Sequence, residues 1–341
     1  VKQIKVEDAV GQVLCHDITQ IIKGVTKDAV FRKGHIITEE DIPVLLSVGK
    51  ENIYIWENDE TKLHENDAAM VLYDICKGEY MHGSDVKEGK IELIADCDGV
   101  LKIDREKLKT VNSLGEMMIA SRHGDFPVKK GDKIAGTRII PLVIEKEKME
   151  HAREVAGNSP IFEIRPFTSK KAGVITTGSE VYHKRIEDTF TPVIIEKLAE
   201  YDIPVVKHVI CDDNHEMITE EIKKMLEEGI EMVICTGGMS VDPDDKTPLA
   251  IKNAGVHMVT YGAPVLPGAM FLLGYYDGKI PVMGLPGCVM YAKRTIFDLV
   301  LPRVLTDEIL TKEDFEVLGE GGLCLNCPVC TFPNCGFGKG V

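Results

Sequence analysis

No apolar run in this 341-residue chain approaches the roughly 18 residues that a membrane-crossing helix needs. Positive charge is scarce: 40 Lys and Arg stand against 55 Asp and Glu, a net charge of −15. Nonspecific nucleic-acid binding is therefore not expected, because it relies on Lys and Arg to neutralise phosphates. A small anionic ligand remains compatible, since a glycine-rich nest or a bound cation reverses the local field. No leader peptide is read in Val1–Asp8, which is mixed and charged, and a cytoplasmic protein is expected. Histidines at metal-ligand spacing are lacking too: His16 and His35 have no partner, and His64 and His82 read as structural.

What is present is an ordinary globular mixture, 44% hydrophobic and 28% charged, long enough for two or three domains. Residues 1–60 read as a small α/β module. Thr38 caps a short helix with Asp41 at the third position, and Asn52–Trp56 forms a strand. Residues 61–165 read as helical and then β-rich, with Met70, Val71 and Ile75 as a helix stripe. Asp104–Leu108 reads as no more than one turn. A charged helical run over Glu145–Glu154 is broken at Gly157-Asn158-Ser159-Pro160.

Residues 166–305 alternate strand and helix, which predicts an α/β, doubly wound, mostly parallel sheet. Strands are expected over Ala172–Thr176, Ile203–Ile210, Met232–Cys235 and Val256–Thr260. Helices are expected to start at Thr191-Pro192 and Thr247-Pro248, with threonine as cap and proline in first position. Another helix follows Asp212-Asp213-Asn214, with Met217, Ile218, Ile222, Met225 and Leu226 at helical spacing. Asp277-Gly278 marks a hairpin. A long helix is expected after Gly287, ending near Leu301 at Pro302.

The stretch with the most chemistry is Cys235-Thr236-Gly237-Gly238-Met239-Ser240-Val241-Asp242-Pro243-Asp244-Asp245-Lys246. Paired glycines bare backbone N–H groups to an anion. The aspartates beyond them suit a hard cation such as Mg²⁺, which bridges carboxylate to phosphate. Thr177-Gly178 and Leu285-Pro286-Gly287 give two further bends at strand carboxyl ends, where open α/β sheets bind ligands.

In order, Thr176-Thr177-Gly178-Ser179-Glu180, Asp212-Asp213, Thr236-Gly237-Gly238-Met239-Ser240-Val241 with Asp245, Pro267-Gly268 and Leu285-Pro286-Gly287 resemble the molybdopterin-binding domain family. The likeness is nearest to molybdopterin molybdenumtransferases, and a weaker one covers residues 4–57. The resemblance implies a domain that binds molybdopterin, with Thr177, Gly178, Ser179, Thr236, Gly237, Gly238, Ser240, Pro267, Gly268, Leu285, Pro286 and Gly287 at the ligand. It implies catalytic roles for Asp245, Glu180 and Asp213, and Mg²⁺ at Asp245 and Asp244. Molybdate insertion in molybdenum cofactor biosynthesis is the implied reaction. The implied partners are molybdopterin, molybdate, a molybdoenzyme apoprotein and a second copy of the chain. The sequence departs from the pattern at Asp242, where glycine is usual, at Ala269, where lysine is usual, and at Cys288-Val289, where Asn-Pro is usual. Too few residues follow the last expected helix for the family's C-terminal β-barrel. These departures favour binding over insertion and keep two alternatives open: a non-catalytic carrier or sensor, and a nucleotide-processing enzyme on the same domain.

Residues 306–341 form a cysteine-rich tail outside that pattern. Cys324, Cys327, Cys330 and Cys335 stand within twelve residues, closer than paired zinc knuckles and nearer a ferredoxin-like run. A [4Fe–4S] cluster is expected ahead of Zn²⁺, with a disordered, metal-free tail as the alternative. The six other cysteines, scattered singly, read as buried free thiols.

Overall fold

The computed structural model describes residues 1–22, 26–55, 59–240, 242 and 245–340. The chain divides into two compact units. The first comprises Val1–Cys97, Lys102–Arg122 and Lys130–Ile164, and the second Asp98–Leu101, His123–Lys129 and Arg165–Val341. No helix among the described residues is long and apolar enough to cross a membrane.

In the first unit, Lys2–Lys5 pairs antiparallel with Asn52–Ile55, and Ile18–Ile22 with Thr26–Phe31. Val6, Leu14, Ile18, Ile37, Leu45 and Ile53 fill a small core. Trp56 lies outside the described residues. The helix starts at Asp41, and the capping direction differs from expectation: the Asp41 carboxylate accepts from the Thr38 N–H and hydroxyl at 2.8 and 2.9 Å. A four-stranded antiparallel sheet is built from Met81–Gly83, Lys90–Ala95, Lys133–Ile139 and Met117–Ser121.

Two expectations for this unit are corrected. The helix Glu65–Cys76 buries Ala68, Ala69, Leu72, Ile75 and Cys76 and leaves Met70 exposed, because alanines supply part of the inward face. The helix Arg105–Ser113 is longer than one turn: Asp104 caps it by accepting from Lys107 N–H at 3.0 Å. His64 caps the other helix, its Nδ1 accepting from Asn66 N–H at 3.2 Å, which is a structural role.

The second unit carries the sheet that positions the site. Its elements are β1 (Ala172–Thr177), α1 (Ser179–Tyr182), α2 (Phe190–Ala199), β2 (Val205–Cys211), α3 (His215–Glu227), β3 (Met232–Thr236), α4 (Thr247–Asn253), β4 (His257–Tyr261), β5 (Leu272–Tyr276), β6 (Ile280–Leu285), α5 (Ile296–Val304) and α6 (Lys312–Glu316). The strand order is β2-β1-β3-β6-β5-β4. β2, β1, β3 and β6 run parallel, and β5 runs against both β6 and β4. This is the mixed, mostly parallel α/β sheet that the alternation predicts.

β1 and β3 are buried along their whole length, as strands covered on both faces must be. Alternate residues face opposite layers. Val174, Ile234 and Met283 join the core that includes α2 and α5, and Ile175, Val233, Cys235 and Val282 join the core that includes α3 and α4.

Helix starts differ from the sequence reading in informative ways. α2 begins at Phe190, so Thr191-Pro192 lies one position further in; Asp188 takes the capping role, accepting from Phe190 N–H at 2.9 Å and Thr191 N–H at 3.0 Å. At α4, Thr247 is the first helical residue rather than the cap. The long helix expected after Gly287 is two pieces, a 3₁₀ turn over Gly287–Met290 and α5. A Thr295–Asp298 capping box starts α5 anew, and the helix continues through Pro302 to Val304.

Candidate functional site

β1 connects to β2 on one side, and the chain then crosses back to β3 on the other. Where strand order reverses in this way, the sheet opens a crevice at its carboxyl edge. Register sets which residues share that edge: Thr177 stands opposite Cys211, Thr176 opposite Thr236, and Thr236 opposite Leu285. The bends Thr177-Gly178, Thr236-Gly237-Gly238 and Leu285-Pro286-Gly287 therefore leave the sheet side by side.

The bends are stitched together by hydroxyls. Gly237 has φ +83°, and a Cβ there would run into the Thr177 carbonyl oxygen, so only glycine admits the close approach. The Thr247 hydroxyl donates to the Gly237 carbonyl at 2.9 Å and lies 3.2 Å from the Thr177 hydroxyl. It serves as a tie between α4 and the Gly-Gly turn, which explains why it does not cap its own helix. The Thr236 hydroxyl oxygen, fully buried in the same row, has no hydrogen-bond partner among the described residues.

Asn214 caps α3, accepting from Glu216 and Met217 N–H, which leaves the preceding aspartates for the β1 turn. Asp213 accepts from Ser179 N–H at 2.8 Å, and Asp212 accepts from the Ser179 hydroxyl. That hydroxyl, then the Asp213 N–H and His183, hold Asp212 below the ordinary carboxylate range. Asp213 thus positions the Thr177-Gly178-Ser179 bend. The Glu180 carboxylate folds back over Gly178, 3.4 Å from where a Cβ would stand.

Asp245 is half-buried, and its carboxylate accepts from Asp242 N–H at 3.0 Å, closing the acidic loop on itself. Burial, followed by the negative charge of Asp245, pushes the Tyr261 phenol above its ordinary pKa. Tyr261 donates toward the carbonyls of Met239 and Ser240, at 3.0 and 3.2 Å. Ser240 itself is exposed. Val241, Pro243 and Asp244 lie outside the described residues.

Pro267 and Gly268 are placed against the start of α5. Ile296 N–H donates to the Pro267 carbonyl at 3.2 Å, and a Cβ on Gly268 would meet the Ile296 side chain.

Sequence reasoning missed Tyr261 and the bonding role of Thr247, since neither sits in a turn motif. It also missed a cluster beside Thr176. The Thr176 hydroxyl lies 2.8 Å from the Thr191 hydroxyl, 3.0 Å from His208 Nε2 and 3.2 Å from the Asp188 carboxylate. Burial raises the Asp188 pKa, but the Thr191 hydroxyl and the Thr191, Phe190 and Thr176 donors outweigh it and hold the group below its ordinary 3.8. A depressed carboxylate contributes stability above the unfolded pKa and loses it as pH falls through the folded one. Asp188→Ala is therefore expected to cost about 1–2 kcal/mol near neutrality. Urea titrations should show the gap from wild type closing below pH 3.8; a gap constant down to acid unfolding would contradict this.

Residues 173–306 match the family described as a probable molybdopterin binding domain. Residues 3–57 match a family described only as a domain of unknown function. A CinA-like protein of Mycobacterium tuberculosis is 32% identical over 79 residues, 23% of this chain and 18% of that relative, so the chain spans only a small part of the curated relatives it matches. The molybdopterin biosynthesis enzyme MoaB from Thermus thermophilus is 21% identical over 39% of this chain and 91% of its own, with a TM-score of 0.34. The protein CinA from Thermoplasma acidophilum is 19% identical over 40% and 98%, also at 0.34. With its motifs in family order on the carboxyl edge of the sheet, the segment from residue 173 to residue 306 is a domain of the molybdopterin-binding family.

Proposed function

We propose that this domain binds molybdopterin across the carboxyl edge of β1, β3 and β6 and takes part in molybdenum cofactor biosynthesis. The observation that carries the reading is the row Thr176–Thr236–Leu285 with three glycine bends beyond it. Backbone N–H groups of the Gly237-Gly238 turn, with Ser240, suit the terminal phosphate.

We propose molybdate insertion as the reaction of the loaded domain, with a non-catalytic carrier or sensor as the alternative that the departures at Ala269 and Cys288-Val289 favour. Among the described residues, no three His, Cys, Asp or Glu side chains are arranged to hold one metal ion. Mg²⁺ does not need such a cage: it is commonly held by one or two carboxylates together with phosphate oxygens and water. Asp245, with Asp244, would supply the carboxylates, and the ion would offset the repulsion between an acidic loop and two anions. Within this reading, Asp213 and Glu180 order the Thr177-Gly178-Ser179 bend.

Anaerobic binding of molybdopterin, with and without Mg²⁺, tests the reading. Asp245→Asn keeps an acceptor for Asp242 N–H while removing the charge. It should abolish the Mg²⁺-dependent gain in affinity, about tenfold or more, and molybdate turnover with it. Wild type that binds but never inserts molybdate would be a carrier. Binding of adenine or nicotinamide nucleotides, with no molybdopterin bound under either condition, would replace the pterin by a nucleotide.

A further inference from the structure

The C-terminal segment has almost no regular secondary structure, yet it is docked rather than loose. Leu266 N–H donates to the Gly322 carbonyl and Cys324 N–H to the Leu266 carbonyl, both at 2.8 Å. Gly338 N–H donates to the Gly321 carbonyl at 2.9 Å. Phe337 is buried in the core of the second unit, with Cys324, Phe332 and Cys335 packed against that core. Gly338 could not carry a Cβ without striking Leu299. These anchors lie on both sides of the cysteines, so the run between them is held as a closed loop. The disordered-tail alternative is thereby corrected: Phe337 enters the core, and backbone hydrogen bonds hold the segment on both sides of the cysteines.

A partly open cavity of about 250 Å³ beside this loop is lined by Cys324, Cys327, Cys330 and Cys335, among others, together with Lys293 and Arg294. At about 30 Å³ per water in the liquid, the cavity has room for on the order of eight molecules, far more than one ion fills. A tetrahedral zinc site draws four sulfurs to about 2.3 Å from a single centre. The four cysteines line one cavity that is larger than a single ion fills, which suits a polynuclear cluster better than one zinc.

Charge agrees with this. Four thiolates around an iron–sulfur core leave a net negative charge in a partly enclosed space, where it needs nearby cations. Lys293 is fixed at the cavity wall by donating to the Pro328 and Cys327 carbonyls at 2.7 and 3.4 Å. Arg294 lies over the Phe332 ring, 5.1 Å from its centre, and is held by Glu200 and Asp298. Both cations come from the segment just after the Leu285-Pro286-Gly287 bend.

We propose that Cys324, Cys327, Cys330 and Cys335 bind a [4Fe–4S] cluster in this cavity, with Lys293 offsetting part of its charge. The proposal stands independently of what the carboxyl edge of the sheet binds. The test is anaerobic reconstitution of the full chain with ferric iron, sulfide and a dithiol reductant, and separately with Zn²⁺, each followed by desalting and metal analysis. About four irons and four acid-labile sulfides per chain are expected, with broad visible absorption and a paramagnetic signal on reduction. The exposed pair Cys327→Ser/Cys330→Ser should lose the iron, the sulfide and the colour while keeping the wild-type circular dichroism, since neither side chain is in the core. Cys97→Ser, remote from the tail in sequence and in the other unit, should keep all three. Retention of about one zinc and no iron would overturn the proposal, as would iron kept by the double variant or no metal retained by wild type.

Discussion

Asp298→Ala is expected to destabilise the protein by about 3–5 kcal/mol, measured as a fall in the urea midpoint. Asp298 is 4% exposed and accepts from Lys197 Nζ at 2.8 and 2.9 Å, from Arg294 at 2.8 Å and from Thr295 N–H at 2.7 Å. Truncation strands the ammonium of Lys197, itself 8% exposed, with only the Lys293 carbonyl at 3.1 Å. It also removes half of the capping box that begins α5. Arg294 loses less, because Glu200 holds it at 2.9 Å. Lys197→Met should therefore cost less than Asp298→Ala, since Asp298 keeps Arg294 and the Thr295 N–H. Paired replacement, Lys197→Met with Asp298→Leu, should recover a large part of the loss, as apolar substitutes for buried ion pairs often do. A nearly neutral Lys197→Met would show that the charge of Lys197 is not what Asp298 neutralises, and equal costs would show that the Arg294 and Thr295 contacts add nothing. The pair joins α2 to α5, and α5 backs the Pro267-Gly268 segment, so its loss should also loosen the loops that border the proposed site.

The sheet was legible because its interior strands leave little choice. β1 and β3 are short continuous apolar runs flanked by glycine, and β5–β6 carry an Asp277-Gly278 hairpin whose residues take φ +50° and +66°. α3 was legible because Asn214 and the Ile218, Ile222, Met225 spacing agree. What failed was local capping chemistry with more than one acceptable donor or acceptor. Thr191 and Thr247 look like caps, but the fold gives each hydroxyl a partner from another strand, and Asp188 takes over at α2. The stretch from Cys288 to Leu301 reads as one helix because nothing in its composition forbids it, yet the Thr295–Asp298 box restarts it. At the site, the glycine bends are visible because positive φ selects glycine. Tyr261 is not visible, because it reaches Met239 and Ser240 from an antiparallel edge strand that no spacing rule connects to them. The tail's cysteine spacing is plain in the sequence, whereas its docking depends on Phe337 and Leu266 contacts that only the folded chain displays.

Gly237→Ala should be the most damaging single change at the carboxyl edge, and comparison with Gly278→Ala isolates the reason. Both residues have positive φ, +83° and +66°, so both variants pay for a left-handed alanine, about 1 kcal/mol. At Gly278 nothing lies within 4 Å of the new methyl group, and the cost should stop there. At Gly237 the methyl group collides with the Thr177 carbonyl and would stand 2.7 Å from the Thr177 hydroxyl. Neither atom can retreat easily, because β1 is hydrogen-bonded on both sides, to β2 and to β3. The Gly-Gly turn must then move away from β1, breaking the Thr247 tie and adding strain of about 1–3 kcal/mol. A total loss of about 2–4 kcal/mol is expected in urea unfolding. Molybdopterin affinity should fall at least about tenfold even where the variant remains fully folded, since the donors of the turn no longer face the crevice. Gly278→Ala should bind as wild type does. Equal binding by both variants would remove the Gly237-Gly238 turn from the ligand site and leave its tight geometry as a purely structural feature of the β1–β3 junction.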